Sequence, residues 1–467
     1  MKSRRGFAFA LAAVLTASCW CANRGAAAEA ASAVQPLDRA KLFDAVVEKI
    51  EQKFFDVKRL KETDWRARAQ AARPSVLAAP TTDDAVRQIN ALLAELKTSH
   101  TGLFTPDDYF YPMVLDVVGL HDSDLIQRRF WGAGPYYPGT GAFTHVVGGR
   151  HFIDAVLEGS PAERAGLRYG DEILAVDGAP YSSIAAFRGK IGTNVDLTIR
   201  RHAGDEPQQV SVEVVPLHPV KAFGEATAAS ARVIERGGKR IGYIHIWASA
   251  ETGSFRAALR KLEVRNGPPE RFGTTGIKVL IDAGPSGGSA AAPAPASKTA
   301  SETPPAVDFL VVDMRGKIGG NVGVISQLLE TLDARSYWGG DFWWGRPGDF
   351  AGRTRPGISY RGRAALLING DTRSAAEVMA YGFKRSGFGP LIGTNTAGAV
   401  SSGGAFAMPG DLLLYVAVSG GEIDGKRLEG VGVAPDVQVD RPLPYANGAD
   451  PVLEAALDLL ATQAPRD

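Results

Sequence analysis

The sequence predicts a multidomain α/β protein with a helical N-terminal region, a β-rich middle domain and an α/β core. Three observations support this: helix-spaced apolar residues in 31–110, short strand patterns in 141–219, and alternating strand and helix patterns in 220–463. Alternating strands and helices typically form one sheet covered by helices, whereas a run of short strands forms a separate β-rich unit. We therefore expect three folded parts behind an N-terminal leader.

The leader, residues 1–30, has the pattern of a secretory signal peptide. A basic start at Met1–Arg5 precedes a short apolar run, and alanines around 26–30 offer cleavage positions. The chain has two cysteines, Cys19 and Cys21, and cleavage after them would leave a mature protein without thiols. Disulfides, thiolate metal sites and cysteine nucleophiles would then be excluded. The alternative is a lipoprotein signal that tethers the exported protein through Cys19.

The composition of the 467-residue chain does not indicate nucleic acid or a charged membrane surface as a partner. Its hydrophobic content of 45% is ordinary for a globular protein. Its formal net charge of +1 gives no indication of nucleic-acid binding or of an anionic membrane surface. No segment after the leader is long and apolar enough for a membrane helix. We expect an exported protein, periplasmic or extracellular, with no integral membrane segment.

Helical periodicity dominates the N-terminal region. Apolar residues from Leu42 to Phe54 recur at helix spacing, with Asp38 as the expected N-cap. A second helix is predicted from about Asp83 to Lys97, and it runs into the turn sequence "KTSHTG". Residues 105–140 are rich in aromatic residues, glycine and proline, so we expect an irregular connection there.

The middle domain contains the distinctive segment "GSPAERAGLRYGDEILAVDG". It predicts a helix that starts at Ser160-Pro161, a glycine turn, and a strand over 173–176, with a further strand at 195–200. This segment resembles a PDZ domain of the bacterial protease type. The resemblance implies that the domain binds extended peptides, often C-termini, by adding a strand to a sheet edge.

The sequence of the α/β core region predicts four strands and two helices. The strands are "RIGYIHIW", "IKVLID", "DFLVVDMRG" and "AALLING", and the helices are "GVISQLLETLDA" and "SAAEVMAYGFKR". Residues near 284–305 are rich in alanine, proline, serine and glycine, so they cannot bury a core. We expect them to form a disordered surface insertion.

Ser374 has two interpretations from its local sequence. "SAAE" is a capping box, in which Ser374 caps the following helix and Glu377 reaches back. The same strand-to-helix turn would also present a serine at the carboxyl edge of the sheet, where active sites of α/β proteins lie. A serine nucleophile needs a base. Lys384 is about 15 Å further along the helix and cannot reach Ser374, and Lys426 has no evident placement.

The seven histidines offer few candidates for that base. His245 lies in a predicted strand and reads as a packed or paired residue, and five others fall in loops or the PDZ-like region. His100 follows an amphipathic helix, in "LLAELKTSHTG". A single histidine at a helix end is also a common capping or surface group, so its position alone does not assign a role.

Four motifs in order resemble the tail-specific (C-terminal processing) serine peptidases, in particular their tricorn-core branch. They are "LLAELKTSHTG", "VVDMRGKIGG", "NGDTRSAAEVMAYGF" and "LEGVGVAPDVQVD", with the PDZ-like unit between the first two. The resemblance covers most of the mature chain. It implies a core of the crotonase-like (ClpP/crotonase) type and a serine endopeptidase activity that requires no cofactor or metal.

The resemblance also implies a role for each matching residue. Ser374 would attack the substrate carbonyl, and His100 would take and return the proton. Ser99 and Glu429 would orient and polarise His100. The backbone N–H of Ala375 and that of a glycine, Gly320 or Gly319, would form the oxyanion hole. These are the site residues that we predict.

Two positions depart from the family pattern. Many tail-specific proteases use a Ser–Lys dyad, but Ala399 stands where the lysine would be. The absence of that lysine favours a histidine base. The tricorn core has an acidic residue after its nucleophile, whereas this chain has Ala375, which favours an apolar or permissive substrate pocket.

Other enzyme classes lack their motifs in this sequence. There is no Gly-x-Ser-x-Gly elbow, no His-Glu-x-x-His, no P-loop and no metal spacing of cysteine and histidine. "GKIGGNVG" at 316–323 lacks the glycine spacing of a dinucleotide site. The competing hypothesis is a secreted peptide-binding protein that keeps the protease fold without cutting. In both hypotheses the partners are peptides or proteins, and the oligomeric state is open.

Overall fold

A computed structural model of the protein describes residues 37–119, 130, 134–262, 307–316, 318–332, 360 and 362–465. The predicted leader with Cys19, the predicted strand "IKVLID" and the predicted insertion at 284–305 lie outside the described residues. Within the described part of the chain, no helix has the length and apolar character needed to cross a membrane.

The core is built around a six-stranded sheet. Its strands, in spatial order, are Arg232–Arg236, Lys239–His245, Phe309–Asp313, Arg363–Ile368, Leu391–Gly393 and Val437–Gln438. The first pair is antiparallel and every other pair is parallel. The strand Phe309–Asp313 is buried along its whole length, as expected for a parallel strand with helices on both faces.

Helices cover both faces of this sheet because successive side chains of each strand point to opposite sides. On one face, Leu310, Val312 and Leu366 pack with three helices. These helices are Gly253–Lys261, Val322–Thr331 and Ala375–Ser386. On the other face, Phe309, Val311 and Leu367 pack against Pro451–Ala461. The predicted strands and helices of the core, where they are described, are confirmed.

The middle part of the chain forms a separate β-rich sheet. Its path runs through Ala142–Val147, Arg150–Val156, Glu172–Val176, Asn194–Arg200 and Gln208–Glu213, and the short strand Ala179–Pro180 pairs with the third of these. The predicted helix start is confirmed, because the Ser160 hydroxyl accepts from Glu163 N–H at 3.2 Å and begins the helix Pro161–Arg164. A 3₁₀ turn at Ala185–Phe187 closes this unit over its own apolar cluster.

Four helices form the N-terminal region, two more than the periodicity predicted. They are Arg39–Lys53, Val57–Glu62, Trp65–Leu77 and Thr82–Ala94. The Asp38 cap is confirmed, since its side chain accepts from Lys41 N–H at 3.0 Å. The last helix ends three residues earlier than predicted, because Lys97 adopts a left-handed φ of 49° that turns the chain towards Ser99.

A three-stranded sheet joins the N-terminal helices to the core. Gly102–Phe104 pairs with Leu412–Ser419, which pairs with Ser402–Met408. Side chains from both sides, including Leu42, Ile89 and Leu414, share one buried cluster. The segment that bears His100 is therefore fixed against the core by strand pairing and by packing.

The expectation of an irregular connection at 105–140 is wrong in two places. A helix spans Phe110–Val117 and a strand spans Tyr137–Gly139, which pairs with Val215–Leu217. Pro112 is the third helical residue, within the first turn where a missing N–H costs no hydrogen bond. The helix is stabilised by burial of Tyr111, Met113 and Val114.

A buried ion-pair network anchors the loop after the central strand. Arg315 donates two hydrogen bonds to Asp313, at 2.9 and 2.6 Å, and two to Asp450, at 2.9 and 2.8 Å. Tyr243 donates a further bond to Asp313 at 2.8 Å. Burial alone raises the pKa of Asp313, but the charge of Arg315 outweighs burial and lowers that pKa below its usual range.

We expect Arg315→Ala to lower the free energy of unfolding by about 3–5 kcal/mol, because it leaves the buried carboxylate of Asp313 without its counter-charge. Chemical denaturation at neutral pH measures this change. Arg363→Ala, at an exposed position, is the matched control and should change the free energy by less than about 0.5 kcal/mol. Since pairing lowers the pKa of Asp313 and Asp450, the stabilisation should be present at neutral pH and lost in acid, as pH falls through their lowered pKa values. Equal losses in the two variants would contradict this account.

Candidate active site

Ser374 occupies a strained turn between a central strand and a helix. The strand Arg363–Ile368 ends before it, and the helix Ala375–Ser386 begins after it. Ser374 has φ 56° and ψ −127°, a conformation that disfavours a residue with a Cβ and costs about 1–3 kcal/mol. Ser374 is the N-cap of this helix and forms a capping box with Glu377, although its hydroxyl accepts no full hydrogen bond from the helix. A capping position and a role as nucleophile are therefore compatible at this turn.

Glu377 holds the backbone of this turn. Its buried carboxylate accepts from the Thr396 hydroxyl at 2.6 Å and from the N–H groups of Gly398 and Ala399 at 2.7 and 2.6 Å. It also accepts from the N–H of Ser374 at 3.3 Å. Burial raises the pKa of Glu377 in spite of these hydrogen bonds. The carboxylate thus ties the helix that follows Ser374 to the loop at 396–399.

Ser99, His100 and Glu429 form one hydrogen-bonded chain. The Ser99 hydroxyl lies 2.7 Å from His100 Nδ1 and donates to Glu429 Oε2 at 3.1 Å. The hydroxyl has a single proton, so it accepts from Nδ1–H. This network assigns the Nδ1–H tautomer to neutral His100 and leaves Nε2 as a proton acceptor.

Glu429 is held by three backbone N–H donors in addition to the Ser99 hydroxyl. Ser99 N–H donates to it at 2.7 Å, and Val400 N–H and Ser401 N–H each donate at 2.9 Å. Burial alone would raise the pKa of Glu429, but these hydrogen bonds outweigh it and lower the pKa. Glu429 is therefore a carboxylate at neutral pH, placed to stabilise a positive charge on His100.

His100 is neutral in the free protein. Burial and the charge of Arg373 together lower its pKa to about 4, although the charge of Glu429 opposes them. The ring of Tyr415 lies against the imidazole, with centroids 5.4 Å apart. His100 has a left-handed φ of 55°, a second strained residue at this site.

One cavity of about 340 Å³ brings the predicted residues together. Its described lining includes Ser374, His100 and Ser99, together with Gly319 and Gly320. Phe104, Phe110, Val114, Val118, Ile318 and Tyr415 give it an apolar wall. Two segments more than 270 residues apart in the chain thus meet at one pocket.

The glycine loop lies directly against the turn at Ser374. A Cβ on Gly319 would lie 2.5 Å from the Ser374 Cβ and 2.8 Å from the Ala375 nitrogen, so any side chain there would collide. Gly320 has φ 131°, and its carbonyl-side neighbour Asn321 donates to Ser249 O at 2.7 Å. Glycine is required here because the two backbones approach so closely.

Three other candidate bases among the described residues, His245, Lys384 and Lys426, do not belong to the described lining of this cavity. His245 Nδ1 is 3.0 Å from Glu158 and the ring packs on Trp247, as the paired-residue interpretation predicted. Lys384 donates to Ala434 O at 2.8 Å, and the Lys426 ammonium lies over the Tyr381 ring. Ala399, at the position of the family lysine, accepts a hydrogen bond from Ser374 N–H at 2.8 Å.

The sequence alone did not single out Arg373 or Tyr415, and it assigned Glu377 only to a capping box. Arg373 lines the cavity and directly precedes Ser374, which was the available signal for it. Tyr415 lies on the strand Leu412–Ser419, whose sequence contains no recognisable motif. Ala375, in contrast, packs into the core of the sheet and does not belong to the described lining of the cavity.

Two family models match this chain. Residues 296–439 match the model of peptidase family S41, and residues 152–201 match a PDZ domain model. The core of this chain is thus similar to peptidase family S41. Its β-rich sheet is similar to a PDZ domain.

Curated relatives of this chain carry two kinds of name. A carboxyl-terminal-processing protease of Picosynechococcus sp. is 27% identical over 321 residues, 65% of this chain and 65% of the relative. Tricorn protease homolog 1 of Streptomyces coelicolor is 25% identical over 388 residues, 75% of this chain and 32% of the relative. This chain thus spans less than two thirds of the length of either relative. Among solved structures, the photosystem II D1 C-terminal processing protease covers 91% of this chain and 98% of its own, at 19% identity and TM-score 0.46.

Proposed function

We propose that this chain is a serine endopeptidase that cleaves peptides or proteins through an acyl-enzyme, with His100 rather than a lysine as the base. The observation that carries the proposal is the chain Glu429–Ser99–His100, which ends in the same cavity as Ser374. This arrangement supplies a nucleophile, an acceptor for its proton and a negative charge behind that acceptor. The names of the S41 relatives support the same activity.

The proposed proton path follows the assigned tautomer. His100 Nε2 takes the proton of Ser374 as the hydroxyl oxygen attacks the carbonyl carbon, and the imidazolium then protonates the leaving amine. The Ser99 hydroxyl accepts from Nδ1–H and donates to the Glu429 carboxylate. It thereby fixes the ring orientation and connects the imidazolium to a negative charge. Water then attacks the acyl-enzyme with His100 again as the base, which releases the acid product and restores Ser374.

The oxyanion formed during attack would bind to backbone N–H groups. Ala375 N–H is at the first position of a helix, where the helix dipole favours a negative charge. The space before it stays open only because residue 319 is a glycine. We assign the second donor to Gly320 or Gly319. Loss of one such donor typically lowers the rate by about 10²–10³-fold.

The proposed function is tested by measuring peptide hydrolysis. The protein used is the full chain after export and processing by its host. A peptide library is incubated with the protein, and new termini are detected by mass spectrometry. In parallel, a fluorophosphonate probe reports an activated serine. New termini with probe labelling support the peptidase; peptide binding with neither result supports the alternative, a non-catalytic binding protein.

Export is part of the proposal and follows from the N-terminal pattern. Signal cleavage near residue 28 or 30 gives a periplasmic or extracellular protein, and lipidation of Cys19 gives a tethered one. The mass of the purified exported protein distinguishes the two outcomes, because a lipid adduct adds mass to a chain that begins at Cys19.

The PDZ domain is proposed to recognise a free terminus of the substrate. Its strand Ala142–Val147 pairs with a single neighbour among the described residues, and Val146 on it is 52% exposed. A peptide can extend the sheet at such an edge. We expect a peptide with a free C-terminus to be cleaved several-fold faster than its C-terminal amide, measured as kcat/KM.

Acetylation of the N-terminus of the same peptide is the control and should leave kcat/KM unchanged. Equal rates for the free and the amidated C-terminus would argue against terminal recognition.

A further inference from the structure

Arg373 is a charged group that the proposed mechanism does not use. It directly precedes Ser374 and lines the same cavity. Its guanidinium carbon lies 5.0 Å from the centroid of the Phe110 ring, which is a cation–π contact. Among the described residues, Arg373 forms no ion pair with a carboxylate and donates no side-chain hydrogen bond.

The described lining of this cavity contains no aspartate, glutamate or lysine. Arginine carries its charge at every physiological pH. His100 is neutral in the free protein, as its lowered pKa requires. Arg373 is therefore the single permanent charge among the described lining residues, on a wall that is otherwise aromatic and aliphatic.

The charge of Arg373 acts at the reacting end of the cavity. It lowers the pKa of His100, and it opposes the increase that burial causes in the pKa of Tyr415. Arg373 directly precedes Ser374 and lines the same cavity as His100 and Tyr415. A substrate whose carbonyl meets Ser374 would therefore place a neighbouring group near Arg373.

We propose that Arg373 binds a carboxylate of the substrate next to the cleaved bond, so that the enzyme prefers acidic peptides there. This inference rests on the proposed peptidase function. A guanidinium forms two parallel hydrogen bonds with a carboxylate, and an apolar surround strengthens the pair. The carboxylate belongs either to an aspartate or glutamate side chain or to a free C-terminus. The earlier expectation of an apolar or permissive pocket rested on Ala375, whose side chain packs away into the core.

Binding of a carboxylate would also affect the base. Arg373 disfavours the imidazolium form of His100, so a bound negative charge that neutralises Arg373 makes His100 a stronger base. Acidic substrates should thus have a higher kcat as well as a lower KM. A neutral substrate leaves the charge of Arg373 uncompensated.

The experiment profiles cleavage of a peptide library with amidated C-termini by mass spectrometry. We expect wild type to cleave next to glutamate or aspartate about 10- to 100-fold more often than next to glutamine or asparagine, the range of a charged hydrogen bond. Arg373→Gln should abolish this ratio, and Arg373→Glu should invert it towards lysine and arginine. The ratio is internal to each variant, so it does not depend on total activity. Arg363→Gln, at an exposed position on the preceding strand, is the matched control and should keep the wild-type ratio.

A second arm separates the two sources of the carboxylate. Short peptides are compared with free and with amidated C-termini in wild type and Arg373→Gln. A preference for the free terminus that disappears in Arg373→Gln identifies the C-terminus as the ligand, whereas a preference that persists belongs to another part of the protein. If no preference in either arm depends on residue 373, the inference is wrong. If wild type is still labelled by the fluorophosphonate in that case, the proposed peptidase function is still supported. If wild type shows neither labelling nor cleavage, the peptidase function itself is refuted.

Discussion

Ser374→Ala should abolish fluorophosphonate labelling and reduce peptide hydrolysis on the order of 10⁶-fold. The physical reason is that, among the described lining residues, Ser374 is the hydroxyl at a helix N-terminus in the same cavity as His100. Ser99 is the other serine of the lining, but its hydroxyl is engaged with His100 and Glu429. The measurement is kcat/KM on a peptide from the library, with in-gel fluorescence of the labelled protein.

The alanine variant also reports on strain. Ser374 adopts a φ of 56°, which costs about as much for alanine as for serine. We therefore expect the thermal midpoint to change little, so loss of activity cannot be attributed to unfolding. Ser254→Ala, on the helix Gly253–Lys261 outside the cavity, is the control and should keep full labelling. Undiminished labelling of Ser374→Ala would place the nucleophile elsewhere.

His100→Ala should lower kcat/KM by several orders of magnitude while the protein stays folded. Without an acceptor for its proton, Ser374 is an ordinary alcohol that is protonated at neutral pH. His245→Ala is the comparison, because that ring pairs with Glu158 away from the cavity. Retained activity of His100→Ala would require another base, and His245 and Lys317 would then be tested first. Lys317 lies outside the described residues.

The pH dependence of kcat/KM provides a second measurement of the same base. Among the described residues, the charged and titratable groups facing His100 are Arg373, Glu429 and Tyr415, and burial with Arg373 brings the pKa of His100 to about 4. A base works in its neutral form, so activity should be present above this pKa and lost as pH falls through it. We expect the acid limb near pH 4, well below the ordinary histidine value of about 6.5. An acid limb at that ordinary value would contradict the buried environment of His100.

Arg373→Gln should move this acid limb upwards, since it removes a positive charge that disfavours imidazolium. Glu429→Gln should move it downwards and also lower kcat, since it removes the carboxylate that stabilises imidazolium during the reaction. Opposite directions for two substitutions distinguish electrostatic effects from general damage. A shift in the same direction for both would argue against the assigned network.

Much of the architecture follows from periodicity and local chemistry. The strand Phe309–Asp313 is apolar at every position but its last, so burial on both faces is encoded locally. Asp38 and Ser160 were predicted to begin helices because their side chains accept backbone N–H groups, and both do so. The helix Phe110–Val117 was missed because aromatic residues and Pro112 weaken the local helix signal, while burial stabilises it.

The sequence by itself determined the fold class, the order of the elements and the residue types from which a serine peptidase can be built. Only the tertiary structure decided which of them meet. Ser99 and Glu429 are 330 positions apart, and a distance along the chain carries no information about a contact made by strand pairing. The sequence also did not decide whether the Arg373 side chain lies in the cavity. Whether a side chain points into a pocket or into a core depends here on the backbone angles of a strained turn. Those angles are set by the loop and helix that pack around it.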